Sequence, residues 1–283
     1  MGSFTDTVYL SAEAIRTPTA NKIHPLGTRG TDGSNRVYRY ARNGVVALAV
    51  GLPVTTAALY EQALTTAMAA NIGTTGAITT TASDIYINTS DLTAAAKDYY
   101  AEGYMVVQSD TGSGASGQVV RLKGNPQMST SSTGIGTTGV FTFDDNDRLT
   151  VDIASGAVVT FHANPYQSVI VVAGGALTAG TLGVPNVAVS TNYYFWAQTW
   201  GPCPVLQDGT WLQGETLISS TQTDAGLQKR AVTVVPTTAD TTLDYILEST
   251  DILKQISRPQ IGWAMGSPGI DNYYGLVFLT ISP

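Results

Sequence analysis

Few side chains in this sequence could act as nucleophiles, acid–base groups or metal ligands. The 283 residues include one cysteine, Cys203, and two histidines, His24 and His162, and only 12% of the residues are charged. Acid–base, nucleophilic and metal-dependent catalysis each require several such groups to converge on one site. The composition therefore favours a structural or binding role over an enzymatic one, with no catalytic residue, metal ligand or cofactor expected.

The cysteine and the histidines lack the neighbours that their usual chemistry needs. Cys203 lies between two prolines with no adjacent basic residue, so a packed, unreactive thiol is expected. A single cysteine cannot form an internal disulfide. His24 and His162 are far apart in the sequence and have no carboxylate or thiolate at metal-ligand spacing. Neither a nucleophile nor a metal centre is predicted.

Two short segments imitate ligand-binding motifs but depart from them. Gly112-Ser-Gly-Ala-Ser-Gly117 has the spacing of a dinucleotide-binding loop, yet a strand pattern follows it where the phosphate site needs a helix N-terminus. Asp144-Asp-Asn-Asp147 resembles a calcium loop but lacks the alternate ligands, the central glycine and the closing glutamate. We expect an ordinary loop and a solvated hairpin turn.

The elements that position these residues are predicted to be mainly β-strands. With 29 glycines and 12 prolines, the sequence breaks into short apolar runs of the kind found in β-rich proteins. Such runs favour antiparallel sandwich or barrel lobes, jelly-roll-like in arrangement. The predicted strands cover residues 36–42, 104–108, 119–123, 140–143, 149–153, 158–162, 169–173, 193–200, 231–235, 260–265 and 275–281.

The first half of the chain adds a hairpin and two short helices. Residues 36–42 alternate strictly and are expected to form an edge strand, followed by a tight turn at Asn43-Gly44 and a second run at 45–50. Four-residue spacing of apolar side chains predicts a helix over 56–70. A second helix is predicted over 91–102, because Ser90 can cap its start and a glycine follows its end.

Three parts are expected along the chain: an extended basic arm at 1–35, a β-rich lobe with the two helices at 36–135, and an aromatic-rich β-sandwich lobe at 136–283. The low-complexity residues 127–139 mark the boundary between the lobes. No apolar stretch is long enough to span a membrane, and the start lacks a signal-peptide pattern. We therefore expect a soluble protein made in a cytoplasm.

Charge divides the arm from the body. Residues 1–42 contain six basic and three acidic residues, a net charge of +3, and the remainder contains eight basic and eighteen acidic residues, a net charge of −10. The acidic body disfavours nucleic-acid binding because it repels phosphate. The arm is expected to pair with an acidic protein surface, the alternative being a flexible terminus with incidental charge. The cations nominated for this contact are Arg16, Lys22, Arg29 and Arg36.

Aromatic side chains concentrate in one predicted strand and alternate onto both of its faces. Solvent tolerates such a strand poorly, so we expect it to lie in a core and in a subunit interface of a homo-oligomer, a trimer by preference. A carbohydrate-binding platform is the competing interpretation. The residues nominated for the core and the interface are Tyr193, Tyr194, Phe195, Trp196 and Trp200.

Three segments resemble structural virion proteins of tailed bacteriophages, particularly capsid decoration (cement) proteins. Such proteins are β-rich, commonly trimeric and bound to the outer capsid lattice, where they clamp neighbouring major capsid proteins, often through terminal arms. Decoration proteins are often nearer half this length, which leaves a head fibre, a tail component or the shell protein open. The segments are Val37-Tyr-Arg-Tyr-Ala-Arg-Asn-Gly44, Gly275-Leu-Val-Phe-Leu-Thr-Ile281 and Tyr99-Tyr-Ala-Glu-Gly-Tyr-Met-Val-Val-Gln-Ser-Asp110-Thr-Gly-Ser-Gly-Ala-Ser-Gly-Gln-Val-Val-Arg121-Leu-Lys-Gly-Asn125.

The resemblance implies a non-enzymatic capsid decoration protein that stabilises the DNA-filled head from the virion exterior. Its expected partners are its own copies in a homotrimer and the major capsid protein, without direct contact to nucleic acid or membrane. The main alternative is a receptor- or glycan-binding module of a head fibre or tail. A virion glycosidase is a third possibility, for which Asp208 and Glu215 are the candidate paired carboxylates.

Overall fold

The computed structural model describes residues 7–57, 61–63, 78–88, 95–110, 112–127, 138–154, 157–174, 179–221, 226–230, 258–266 and 271–283. The fold is mainly β, as predicted, and a sandwich fits it, although no barrel is closed in the described part of the chain. Within the described residues, no helix is both long and apolar enough to cross a membrane.

Most strands are short, and a single helix accompanies them in the residues that the structure describes. In chain order the elements are β1 Thr7–Tyr9, α1 Ala12–Arg16, β2 Arg29–Thr31, β3 Val37–Arg42, β4 Val54–Thr56, β5 Glu61–Ala63, β6 Asp84–Asn88, β7 Tyr104–Ser109, β8 Val119–Gly124, β9 Thr138–Phe143, β10 Val158–His162, β11 Val169–Val171, β12 Thr181–Pro185, β13 Tyr194–Leu206, β14 Thr216–Ser219, β15 Leu227–Lys229, β16 Gly262–Ala264 and β17 Tyr274–Thr280.

The chain forms two compact units whose boundaries differ from the expected ones. Unit 1 comprises Met1–Ala58 and Tyr166–Pro283, and unit 2 comprises Leu59–Pro165. The expected boundary near residue 135 falls inside unit 2, because β8 and β9 pair across it and β5 pairs with the much later β10. Pairing between distant strands, and not local composition, therefore sets the division.

Unit 1 is built on a sheet of eleven strands, in which β13 has the central place. The main path runs β1-β2-β3-β13-β17-β16-β14-β15, and β12 joins β4 and β11 to it. Neighbours are antiparallel except for the parallel pair β1 and β2. The first half of β13 pairs with β3 and the second half pairs with β17.

Unit 2 contains a six-stranded sheet, in the order β5-β10-β7-β8-β9-β6. Its core contains Tyr100, Met105, Phe141 and Phe161, all fully buried. The rings of Phe141 and Phe161 stack with their centroids 3.9 Å apart. Every second residue over part of β7, β8 and β10 belongs to this core, because alternate side chains of a strand lie on the same face.

The segment expected to be an extended arm is folded into unit 1. It contains β1, α1 and β2, and the side chains of Leu10, Ile15 and Leu26 are buried. A Cβ atom at Gly30 would lie 2.5 Å from Leu10 and 2.9 Å from Trp196, so the glycine lets β2 approach closely. Residues 7–31 are therefore a structural layer of unit 1.

The predicted edge strand and hairpin also differ from the structure. β3 lies inside the sheet, between β2 and β13. Residues 45–50 form no strand, and Val45 and Val46 are exposed. Asn43 is buried instead of turning a hairpin, because its side-chain amide donates to the carbonyl groups of Val46, Val189 and Ser190.

Neither predicted helix is present where the structure describes it. Residues 97–102 form turns, and Asp98 and Glu102 have φ angles of 59° and 61°, which an α-helix excludes. In the other segment, Val54–Thr56 and Glu61–Ala63 are strands. The remaining parts of both predicted helices lie outside the described residues.

Three other predicted features have different outcomes. Residues 149–153 form no strand, and Ile153 makes an isolated bridge with Ile78. The strand predicted at 231–235 and most of the low-complexity loop lie outside the described residues. The strand predicted at 158–162 has the observed bounds of β10.

Candidate functional site

Two of the four nominated cations are engaged inside unit 1. Arg29 donates to Thr7 Oγ1 at 3.1 Å and to the carbonyl oxygen of Pro283 at 3.4 Å. Arg36 forms an ion pair with Asp32. Arg29 thus ties β2 to segments near both ends of the chain, which is a structural role that the sequence did not reveal.

The other two nominated cations, Arg16 and Lys22, are exposed. Arg16 ends α1, where a positive charge complements the negative end of the helix. It lines a cavity of about 160 Å³ together with Arg36, Asn186 and Pro204. The structure therefore brings Arg16 and Arg36 to one place and leaves Lys22 and Arg29 elsewhere.

The nominated aromatic residues of β13 serve mainly the core of unit 1. Phe195 and Trp196 are 2% and 4% exposed, so a single copy of the chain already covers them. Tyr194 and Trp200 are half-buried, and Tyr193, which precedes the strand, is 37% exposed. Trp196 thus supports the fold directly. An oligomer interface at this strand stays a prediction for the less buried rings.

A cavity of about 320 Å³ lies over the first half of β13, lined by His24, Tyr40, Tyr194 and Trp196 among others. His24 lies 5.3 Å from the rings of both Tyr40 and Trp196, and Tyr40 stacks on Tyr194 at 5.8 Å. The guanidinium of Arg42 lies over the Tyr194 ring. These rings therefore form one connected aromatic lining of the cavity.

A larger apolar surface covers the second half of β13 and its neighbours. Side chains alternate along β-strands, and directly paired residues share a face. On β17 the odd positions Val277 and Leu279 are buried, whereas the even positions are more exposed. We call the resulting outward surface the apolar face. By strand register its eight apolar residues are Trp200, Pro202, Pro204, Leu206, Trp263, Tyr274, Leu276 and Phe278. The uncharged residues Thr280, opposite Trp200, and Thr216, opposite Trp263, lie on the same side.

Ring contacts organise the apolar face. Phe278 stacks on Trp263 at 5.2 Å and meets Trp200 edge-on at 5.5 Å. Tyr274 and Leu276 are 56% and 48% exposed. None of the eight residues of the face is charged. Contiguous exposed apolar surface of this kind marks interaction sites in soluble proteins.

Two prolines determine how the apolar face can bind a partner. β3 pairs with β13 only as far as Trp200, and beyond it Pro202 and Pro204 pair with β17 on the other side. Proline has no N–H, so these positions offer no donor along the edge that faces away from β17. The edge is thereby closed to an added strand at these two positions. A partner on the apolar face therefore gains no backbone hydrogen bond from the nitrogen atoms of Pro202 and Pro204.

The Asp144-Asp-Asn-Asp147 turn has its carboxylates occupied by protein donors. Asp147 accepts the backbone N–H of Arg121 at 2.8 Å, and Asp145 pairs with Lys123 at 2.8 Å. The hydrogen bond between Lys123 and Asp145 raises the pKa of Lys123 and lowers the pKa of Asp145. Within the described ranges, no group of three or more potential ligands could hold a metal ion.

The glycine-rich loop at 112–117 folds around the carboxylate of Asp110, which precedes it. Asp110 accepts the hydroxyl of Ser113 at 2.6 Å and the backbone N–H of Gly112 at 2.9 Å. These hydrogen bonds hold the pKa of the Asp110 carboxyl well below its usual range. The backbone donors therefore face this side chain, where a phosphate would otherwise have to lie.

The remaining candidates for chemistry are held in local structural contacts. Burial raises the pKa of Cys203 to about 12, which leaves its thiol neutral and unreactive. Asp208 accepts a hydrogen bond from Ser220, and Glu215 accepts the backbone N–H of Leu212 at 2.7 Å. Each of the two carboxylates proposed for a glycosidase thus has its own nearby donor.

The main feature missed from the sequence is the apolar face. Its signal was present in β17, where Leu276 and Phe278 alternate with Val277 and Leu279, so both sets of positions are apolar. A strand with that pattern needs a cover on each side. The pairing register of β17 with β13 and β16 brings the residues of the apolar face together. The sequence does not reveal this register. Comparison of the chain with protein-family models, curated proteins and solved structures found no match.

Proposed function

We propose that this protein is a non-enzymatic structural protein that binds other proteins through the apolar face. The observation that carries the proposal is an uncharged surface of eight apolar side chains, with Tyr274 and Leu276 about half exposed. Each 100 Å² of such surface removed from water contributes roughly 2.5 kcal/mol before the costs of association. The proposed partners are further copies of the chain, in a homotrimer, and a larger protein lattice.

The proposed lattice is the exterior of a bacteriophage capsid, and the protein is a decoration protein on it. Support comes from the resemblance of three segments to capsid decoration proteins and from the scarcity of catalytic side chains. A protein that binds the assembled lattice but not its dissociated subunits stabilises the particle by mass action. The proposed role requires no cofactor, nucleic acid or membrane.

The test compares particles with and without the protein. Particles lacking it should assemble but release DNA at a lower temperature, and purified protein should restore them. Leu276→Lys, which places a charge on the apolar face, should fail to restore them. Val119→Lys is the matched control, because Val119 is 53% exposed on β8 in unit 2 and should restore them fully.

Two outcomes would contradict the proposal. Wild-type protein that is a monodisperse monomer by light scattering at micromolar concentration would exclude the homotrimer. Depleted particles that retain DNA normally but fail to adsorb to cells would favour the receptor- or glycan-binding module, with the exposed rings of Tyr273 and Tyr274 as its contact surface.

A further inference from the structure

The cavity lined by Arg16 and Arg36 has the size of a side chain. Its 160 Å³ equal the volume of about five water molecules in the liquid. Pockets for drug-sized ligands usually have volumes of about 300–1,000 Å³. A nucleotide does not fit, whereas a carboxylate on a short methylene stem does.

One cation of the cavity is fixed in place before any ligand binds. Arg36 pairs with Asp32, and its Nε donates to Ser34 Oγ at 3.1 Å. Burial raises the pKa of Asp32, but hydrogen bonds from Ser34 and the charge of Arg36 outweigh burial and lower it. Asp32 is therefore ionised at neutral pH and balances the charge of Arg36.

The second cation of the cavity, Arg16, has no acidic partner among the described residues. It makes no hydrogen bond or ion pair with any residue that the structure describes. Its helix neighbour Glu13 lines the other, aromatic cavity. Cys203, whose thiol contacts Asn186 behind the cavity, remains neutral. Arg16, Arg36 and Asp32 together thus carry one net positive charge.

Asn186 supplies a fixed polar wall. Its Oδ1 accepts the Cys203 thiol at 3.3 Å, and its Nδ2 donates to Gln198 Oε1 at 2.8 Å. The buried side chain of Tyr38 also interacts with Asn186. Asn186 is therefore held in place by its neighbours where it lines the cavity.

From these contacts we infer that the cavity binds one carboxylate, the side chain of an aspartate or glutamate on a partner protein. Guanidinium groups bind carboxylates through paired hydrogen bonds. Pro204 belongs both to the cavity and to the apolar face, so the acidic residue would be flanked by apolar contacts. The inference rests on the proposed binding function and adds the chemistry that the partner must present.

The experiment uses two peptides that differ only in charge, acetyl-Leu-Glu-Leu-amide and acetyl-Leu-Gln-Leu-amide. Nuclear magnetic resonance follows the Nε–H signals of Arg16 and Arg36 in the full chain at constant ionic strength. The glutamate peptide should shift both signals, and the glutamine peptide should not. Arg16→Ala should weaken binding of the glutamate peptide roughly tenfold. Lys22→Ala, which removes the same charge from the same segment outside the cavity, should leave affinity within about twofold.

Three results would overturn the inference: equal shifts with both peptides, no shift with either, or unchanged affinity in Arg16→Ala. Sodium phosphate is a further arm, and binding of phosphate without binding of the glutamate peptide would also overturn it. Because no particle enters this measurement, its failure leaves the Leu276→Lys comparison intact. Conversely, failure of particle attachment would not change the peptide result.

Discussion

Each half of β13 contains a tryptophan, Trp196 in the first and Trp200 in the second, but the two rings have different surroundings. In the first half, Trp196 is covered by Leu10 and Ile15 from the N-terminal segment. In the second half, Trp200 and the side chains aligned with it form the apolar face. Aromatic content alone thus does not decide whether a strand belongs to a core or to a surface. A covering segment from elsewhere in the chain decides it.

The N-terminal segment packs on its own unit and is not an arm that contacts a neighbouring subunit in the described structure. Residues 7–31 were expected to reach a neighbouring subunit, whereas they pack on the first half of β13 within their own unit. Only Arg16 and Lys22, of the four nominated cations, remain exposed. The second half of β13 is the part that the described chain leaves for a partner.

The largest expected effect is that of Trp196→Ala in the covered half. Removing this buried ring should lower the free energy of unfolding by about 3–5 kcal/mol. Trp200→Ala in the open half should cost clearly less, because Trp200 is only half-buried. Urea unfolding of both variants, followed by circular dichroism, measures the difference. Equal losses would remove the distinction between the halves.

A smaller effect is expected where the covering layer approaches most closely. A methyl group at Gly30 would collide with Leu10 and Trp196, so Gly30→Ala should destabilise by about 1–3 kcal/mol. At Gly180 no atom lies within 4 Å of the position that a methyl group would take. Gly180→Ala should therefore be neutral or stabilising by up to about 1 kcal/mol. Thermal unfolding of the two variants would measure the difference. Similar changes in melting temperature would argue against close packing of Gly30 on Leu10 and Trp196.

The ion pair beside the junction of the two halves should contribute less than about 1 kcal/mol. Since the pKa of Asp32 is lowered in the folded state, its contribution is present above the unfolded value of about 3.9 and is lost as the pH falls through the folded value. Asp32→Asn should therefore be less stable than wild type at neutral pH, and the gap should close below about pH 4. A gap that persists in acid would assign the stabilisation to another cause.

The smallest expected effect on stability is that of Leu276→Lys in the open half. Leu276 is 48% exposed, so this change should alter the free energy of unfolding by no more than about 0.5 kcal/mol. The same change should abolish self-association, which sedimentation velocity would detect. A large loss of stability without a change in association would place Leu276 in the fold instead of an interface.

Local patterns were sufficient for three strands of unit 2, whereas the longest strand, β13, was predicted only as far as Trp200. β7, β8 and β10 are runs rich in valine and other apolar residues, and the sequence predicted each of them to within one residue at either end. The three-residue strands β1 and β2 are too short to show such a pattern. They are held in place by packing against Trp196, which lies far away in the sequence. The helix expected at 91–102 failed where it is described, since left-handed residues such as Asp98 leave little trace in apolar spacing.

The candidate site was less predictable than the fold. Aromatic residues drew attention to β13, but the surface depends on its register with β17 and β16. The pairing of Arg16 with Arg36 in one cavity depends on how α1 packs, which no short motif encodes. Charge counting identified the cations of the cavity but could not separate them from Arg29, which Pro283 already engages, or show that Asp32 balances Arg36.

The discontinuity of unit 1 sets an order for synthesis on the ribosome. Its β3 emerges before unit 2, but β13 and β17 emerge only after unit 2 is complete. Unit 2, a continuous segment, can therefore fold while the early part of unit 1 still waits for its partners. The backbone N–H of Ala57 and the carbonyl of Ser168 then join at 2.9 Å, which connects the early and the late segments of unit 1. Until Trp196 has been synthesised, Leu10 and Ile15 lack part of the apolar cluster that buries them.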